Sequence, residues 1–155
     1  MKKRVLIVCF ILVVSLIPVN CFAASNGVQS KVVWDKEVTK TVSGYAGNQP
    51  KGGSRFPSGG GFYYGDSGGP SVAVSVYGVS VSIPLGQVKS SGIYVAVPDK
   101  THYYKLYVSK RVKIRTYTTY RKTYDYKNKK YVWKKYTRGA NKTVISQSFS
   151  AKRVK

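Results

Sequence analysis

The amino-acid sequence predicts an all-β fold: a single antiparallel β-sandwich or open barrel of about seven strands that includes a long basic hairpin. Three observations support this prediction. β-branched and aromatic residues alternate with polar residues along several segments, as they do in half-buried strands. Clusters of Gly, Ser, Pro and Asp separate these segments, as in turns. The stretch at 103–136 alternates Tyr, Val and Thr with Lys and Arg over a length sufficient for both arms of a hairpin.

The N-terminus has the pattern of a secretory signal peptide. Lys2, Lys3 and Arg4 precede the apolar run Val5–Leu16, and a small-residue end, 21–24, follows. We expect residues 1–24 to be cleaved off after Ala23 or Ala24, and the product to be secreted. The alternatives are an uncleaved anchor helix, for which the run is short because a span needs about 20 apolar residues, and a lipid on a cysteine at position 21.

Residues 25–155 are expected to form one β domain, with a Gly/Ser/Pro-rich loop at 44–70 and the basic hairpin at 103–136. Cys9 and Cys21, the two cysteines of the chain, both precede this domain. The domain therefore contains no cysteine for a disulfide, which is typical of exported bacterial proteins, especially those of Gram-positive cells.

The chain is strongly basic and its charge is uneven. It has 27 Lys and Arg against 5 Asp and Glu, a net charge of +22. Signal cleavage would remove three of these charges and leave about +19. Most basic residues lie after position 99, where Asp125 is the one acidic residue. Such a charge suggests a polyanionic partner: a teichoic-acid-rich wall, nucleic acid or an anionic lipid surface. A solvated charged face without a partner is the alternative.

The N-terminal half is predicted to supply several strands. Residues 31–45 alternate, with Val32, Trp34, Val38 and Val42 on one side, so we expect Trp34 in the core. A short strand is expected near 62–64. Residues 71–83 are interpreted as a strand pair or one bent strand with a bulge at position 78, because their apolar parity changes there. A further strand is expected at 93–97.

The hexapeptide Gly65–Pro70, GDSGGP, resembles the nucleophile loop of trypsin-like serine proteases. That family places its histidine before the serine, whereas His102, the one histidine of this chain, follows Ser67. A triad occurs in other chain orders, so a small serine hydrolase using Ser67 is one hypothesis. Gly, Asp and Ser are also the residues that a simple turn requires, and His102 is then a strand-end side chain.

The basic hairpin carries the candidate site. Its even-numbered residues, from Leu106 to Tyr124, are mainly apolar and are predicted to face the core. The odd-numbered residues form a cationic and aromatic face, with seven candidate polyanion-binding residues: Lys105, Tyr107, Arg111, Lys113, Arg115, Tyr117 and Arg121. Lys and Arg would neutralise phosphates and tyrosines would stack on sugars or bases. Alternatively, lysines on an exposed strand only prevent edge pairing.

The hairpin is expected to turn at 125–130 and to return along 131–136. A second turn is predicted at Gly139-Ala140-Asn141, followed by a final strand at 143–149.

The runs YYKLYV at 103–108 and TYRKTYDY at 119–126, with the serine-valine strand before them, resemble a group of small exported Tyr/Lys-rich proteins of Gram-positive bacteria, the YolA-like proteins. The resemblance implies a secreted β protein and assigns neither an activity nor a site residue.

The leading functional prediction is a secreted, non-enzymatic protein that adheres electrostatically to an anionic polymer of the cell wall. The alternatives are an antibacterial or toxin-like polycation that acts on membranes, an extracellular nucleic-acid binder, for which no motif is present, and the hydrolase above. One histidine and five scattered acids predict no metal site. We predict no cofactor and no membrane insertion after signal cleavage. The sequence leaves the oligomeric state open.

Overall fold

The computed structural model describes residues 28–154, so the predicted signal peptide lies outside the described residues. Every regular element within this range is a β-strand, which confirms the all-β prediction. The eight strands are β1 (Ser30–Tyr45), β2 (Gly61–Gly65), β3 (Ser71–Val76), β4 (Val79–Pro84), β5 (Gln87–Lys89), β6 (Ile93–Ala96), β7 (Tyr104–Asp125) and β8 (Lys130–Arg153). Residues 28–154 contain no helix that could span a membrane.

The strands form three open antiparallel sheets. The large sheet has the order β1-β7-β8, so the 22-residue β7 is its middle strand. A second sheet has the order β5-β2-β6, and β3 and β4 form a two-stranded hairpin. None of these sheets closes into a barrel over residues 28–154.

The two smaller sheets pack on one face of the large sheet, which we call the inner face. Beside the β3–β4 hairpin, Ile83 of β4 packs with Val112 and Ile114 of β7. Beside the second sheet, Phe62 and Tyr64 of β2 pack in a cluster with further even-numbered residues of β7. Even-numbered residues of β7 are buried from 104 to 118, as its period-two pattern predicts.

The parity change within residues 71–83 comes from a tight hairpin turn, and the predicted bulge at Gly78 is wrong. Tyr77 and Gly78 have φ angles of 48° and 77°. Positive φ at both central residues is the mark of a two-residue type I′ turn. Such a turn sets Val76 opposite Val79 and keeps the apolar residues of both strands on one face.

The position of Trp34 also differs from the prediction, because β1 contains a bulge. Trp34 pairs with Tyr117 and Glu37 with Arg115, so two residues of β1 oppose the single Thr116 of β7. The extra residue reverses the alternation. Val42 therefore lies in the core, whereas Trp34 lies on the opposite, solvent-facing side and is 40% exposed.

The C-terminal part is one strand, where a turn and a separate final strand were predicted. β8 runs without a break from Lys130 to Arg153 and pairs with the whole of β7. Gly139 lies inside this strand and opposite Tyr117. A Cβ at Gly139 would come within 2.5 Å of the Tyr117 ring, so this glycine makes room for an aromatic side chain and does not form a turn.

Candidate functional site

The outer face of the large sheet is the candidate functional surface. We use this name for the side opposite the two smaller sheets. The exposed side chains of Arg111, Lys113 and Arg115 follow one another along β7, in the middle of this face. Same-face residues of a strand repeat at about 6.8 Å, because each residue advances the chain by about 3.4 Å. The three cations therefore form a regular central row.

Hydroxyl and amide side chains flank the cationic row on both sides. Residues directly opposite in neighbouring antiparallel strands project to the same face. Thr41 of β1 and Ser146 of β8 both pair with Arg111, and Asn141 pairs with Arg115. The hydroxyl and amide members of the flanking rows are Thr39, Thr41 and Ser43 on β1, and Asn141, Thr143, Ser146, Ser148 and Ser150 on β8. Apart from Glu37, which lies opposite Arg115, a ligand on the cations thus meets neutral hydrogen-bonding groups on either side.

An aromatic pair closes one end of the central row. The rings of Trp34 and Tyr117 meet edge to face with their centroids 5.4 Å apart. The Arg115 guanidinium lies 4.5 Å from the Trp34 ring centroid, which is within cation–π distance. The strand bulge and Gly139 together allow this arrangement, because one turns Trp34 outward and the other gives Tyr117 space.

A second aromatic pair closes the other end. Tyr45 and Tyr107 are edge to face at 5.4 Å, and the Tyr107 hydroxyl donates a hydrogen bond to Ser43 Oγ at 2.8 Å. Lys105 lies over the Tyr45 ring at 5.6 Å and Lys152 over the Tyr107 ring at 3.4 Å. Both rings thereby hold an ammonium group close to the face.

One carboxylate reaches the central row. Glu37 Oε1 lies 3.0 Å from Lys113 Nζ, and both side chains remain about half exposed. An exposed ion pair of this kind contributes little to stability, and a polyanion can compete for the lysine. Within residues 28–154, no salt bridge joins Arg111 or Arg115 to a carboxylate.

The structure brings six of the seven candidate residues together and places the seventh farther out. Arg121 shares the outer face but lies beyond the Trp34–Tyr117 pair, where its guanidinium stacks 3.4 Å from the Tyr136 ring centroid. Sequence reasoning missed Trp34, Tyr45 and Lys152, because their positions depend on pairing across strands. The hydroxyl row of β8 had a visible signal, the alternating serines at 146, 148 and 150.

The GDSGGP loop has contacts other than those of a catalytic triad. The Ser67 hydroxyl accepts a hydrogen bond from the Lys89 ammonium at 2.6 Å. His102 Nδ1 contacts both Asp99 oxygens at 2.9 and 3.0 Å. No hydrogen bond in the described part of the chain connects Ser67 with His102. The structure therefore does not bring these two sequence-predicted partners together.

Asp66 of the same loop connects to the core of the large sheet. Its Oδ1 atom accepts hydrogen bonds from the buried Lys110 at 2.5 Å and from the Tyr64 hydroxyl at 2.7 Å. The bond from Lys110, followed by that from Tyr64, holds the pKa of Asp66 below its usual value. Burial, followed by the bond to Asp66, raises the pKa of Tyr64. The two hydrogen bonds favour the ionised form of Asp66, and burial favours the neutral form of Tyr64.

His102 and Tyr104 share a second carboxylate. The Tyr104 hydroxyl donates a short hydrogen bond to Asp99, and this bond is the main cause of the lowered pKa of Asp99. Asp99 also accepts hydrogen bonds from the backbone N–H groups of Thr101 and His102. The cluster ties the 98–103 connection to the start of β7. Across residues 28–154, no group of three or more His, Cys, Asp or Glu side chains is placed to hold a metal ion.

Comparison with family models, with curated proteins and with solved structures finds no match for this chain.

Proposed function

We propose that this is a secreted, non-enzymatic protein that adheres to an anionic, phosphate-bearing polymer of the cell wall through the outer face of its large sheet. The observation that carries the proposal is the central row of Arg111, Lys113 and Arg115 on the middle strand. Cations at intervals of about 6.8 Å match an extended chain with repeated negative charges better than they match one small anion.

The surroundings of the row support an extended ligand with hydroxyl groups. The flanking Ser, Thr and Asn side chains donate to and accept from sugar or polyol hydroxyls. The aromatic pair at each end holds a basic side chain near a ring face, which adds a positive charge at either end of the row.

Binding through this face is expected to weaken steeply with salt. A flexible polyanion releases about 0.7 counterions for each phosphate that the protein neutralises. Engagement of all five basic candidate residues predicts a slope of about −3.5 in a plot of log binding constant against log salt concentration. The experiment is a salt-graded titration of the secreted protein with teichoic-acid-bearing wall, stripped peptidoglycan and DNA.

The matched variants separate the face from overall charge. R111Q/R115Q is expected to reduce the slope by about 1.4, because two neutralised phosphates are lost. K51Q/K100Q removes the same charge from two loops away from the face and is expected to leave the slope nearly unchanged. Binding that persists in molar salt, equal effects of the two variants, or a preference for DNA over wall polymer would each contradict the proposal.

A further inference from the structure

The end of the β7–β8 hairpin extends beyond the layer that covers the rest of the large sheet. The covering layer ends at the Tyr77–Gly78 turn, where Lys36 lies 5.0 Å from the Tyr77 ring centroid. Polar contacts close the core at this level: Thr118 donates to Asp35 at 2.9 Å. Within residues 28–154, pairing of β1 with β7 ends at Arg121, and β7 and β8 continue as a two-stranded hairpin. We call residues 120–136 the hairpin tip.

The tip exposes aromatic side chains where core residues were predicted. Tyr120 is half-buried and Tyr124 is 39% exposed, so the even-numbered face of β7 leaves the core after Thr118. Tyr126 is 85% and Tyr131 65% exposed. The ring of Tyr124 meets those of Tyr126 and Tyr131 edge to face at 5.1 and 5.2 Å. The rings thus form one connected group at the extremity of the protein.

Cations lie over the aromatic rings of the tip. Lys31 Nζ is 4.7 Å from the Trp133 ring centroid, and Lys122 Nζ is 5.6 Å from that of Tyr131. The tip has seven Lys and Arg residues and one acid, Asp125. That carboxylate accepts hydrogen bonds from Lys127 N and from Asn128 within the turn, and it can balance only a small part of the positive charge of the tip.

We propose that the hairpin tip is a peripheral docking element for an anionic phospholipid bilayer. Tyr and Trp, with apolar rings and polar ends, favour the boundary between headgroups and acyl chains. Lysines beside them attract anionic headgroups at the membrane surface. Single-stranded nucleic acid fits less well, because bases stack on open ring faces, whereas the tip rings carry cations on their faces or contact one another edge to face.

A fluorescence experiment tests membrane docking by the hairpin tip separately from polymer binding by the outer face. The chain has two tryptophans, Trp34 on the outer face and Trp133 on the tip. In the secreted protein carrying Trp34→Phe, Trp133 alone reports on the tip. Vesicles containing phosphatidylglycerol are expected to shift its emission to the blue, and brominated acyl chains are expected to quench it. Pure phosphatidylcholine vesicles are expected to produce neither change.

Paired tyrosine variants distinguish the tip from general charge. Y126S/Y131S keeps every cation and is expected to weaken vesicle binding about tenfold, because binding depends on the buried apolar area as well as on charge. Y63S/Y94S removes another exposed tyrosine pair, 42% and 50% exposed, from the second sheet, where the rings lie 5.3 Å apart, and is expected to change binding less than about twofold. An unshifted Trp133 emission, equal effects of the two variants, or a larger response to a single-stranded polynucleotide would overturn the proposal.

Discussion

Lys110 is 1% exposed in the middle of β7, although its side chain is charged. Its ammonium group donates to Asp66 at 2.5 Å and to the Pro84 carbonyl at 2.7 Å, and it lies 5.9 Å from the Tyr64 ring centroid. The sequence shows Lys110 as an interruption in an apolar row. Its partner is 44 residues away, so the compensating carboxylate becomes visible only when the GDSGGP loop has folded over the sheet.

The two partners are expected to respond differently to substitution. Asp66→Asn leaves a buried ammonium without a carboxylate and is expected to lower the free energy of unfolding by about 2 kcal/mol. Lys110→Met is expected to change it by less than about 1 kcal/mol, because Met fills the space and the remaining Asp66 carboxylate is largely exposed to water. Denaturant unfolding of both variants measures this asymmetry. A larger loss for Lys110→Met than for Asp66→Asn would contradict it.

At the scale of single elements, two local features determine which residues face the core. The type I′ turn at Tyr77–Gly78 keeps the valines of β3 and β4 on one side, and the bulge after Trp34 turns that residue outward. Both features change whether the apolar residues fall on odd or even positions, and the sequence alone does not distinguish a turn from a bulge. The distinction depends on whether the following residues pair with the preceding strand or with a different one.

Replacement of the turn glycine tests the first feature. Gly78→Ala is expected to lower the free energy of unfolding by about 1 kcal/mol, because an L-residue at a φ of 77° is strained. Lack of space is not the cause, since the nearest atom to the added Cβ, in the side chain of Arg138, is 3.7 Å away. Gly52→Ala is the control: its Cβ meets nothing within 4 Å, and it is expected to be neutral or to stabilise by about 0.5 kcal/mol. Equal losses measured by denaturant unfolding would rule out the turn-strain explanation.

At the scale of the whole molecule, the protein is a polycation whose strands form three separate sheets. Its net charge of +22 for the full chain, or about +19 after the expected cleavage, opposes compaction through self-repulsion. Few acids offset this repulsion: in the described part of the chain, three salt bridges join a Lys or Arg to a carboxylate. Salt should therefore act in opposite directions on stability and on the proposed polymer binding.

Thermal unfolding measures the effect on stability. Raising NaCl from about 0.05 to about 0.3 M is expected to raise Tm by about 3 °C, because screening weakens repulsion among the exposed cations. A variant with four tip lysines changed to Gln, at positions 127, 129, 130 and 134, is expected to respond less. A Tm that falls with added salt would show that attractive ion pairs outweigh the repulsion.

The alternating sequence pattern of β7 predicts the orientation of its own side chains but not their neighbours. The alternation from Leu106 to Tyr117 correctly predicted which side of β7 is buried, because side chains of a strand alternate whatever its neighbours are. The candidate residues on the odd side were therefore identifiable. Their hydroxyl and aromatic surroundings were not, because they come from β1 and β8 through pairing between residues up to about 80 positions apart.

The sequence by itself determined the fold class, the alternation of β7 and the basic, tyrosine-rich character of its odd face, since these depend on composition and on a two-residue period. Only the tertiary structure decided that Trp34 joins the outer face, that β8 continues through Gly139 and that, within residues 28–154, the hairpin tip extends beyond the covering layer. Each of these depends on which strand lies opposite and where the covering layer ends. A local pattern carries no such information, because strand pairing and burial are set by contacts distant in the chain.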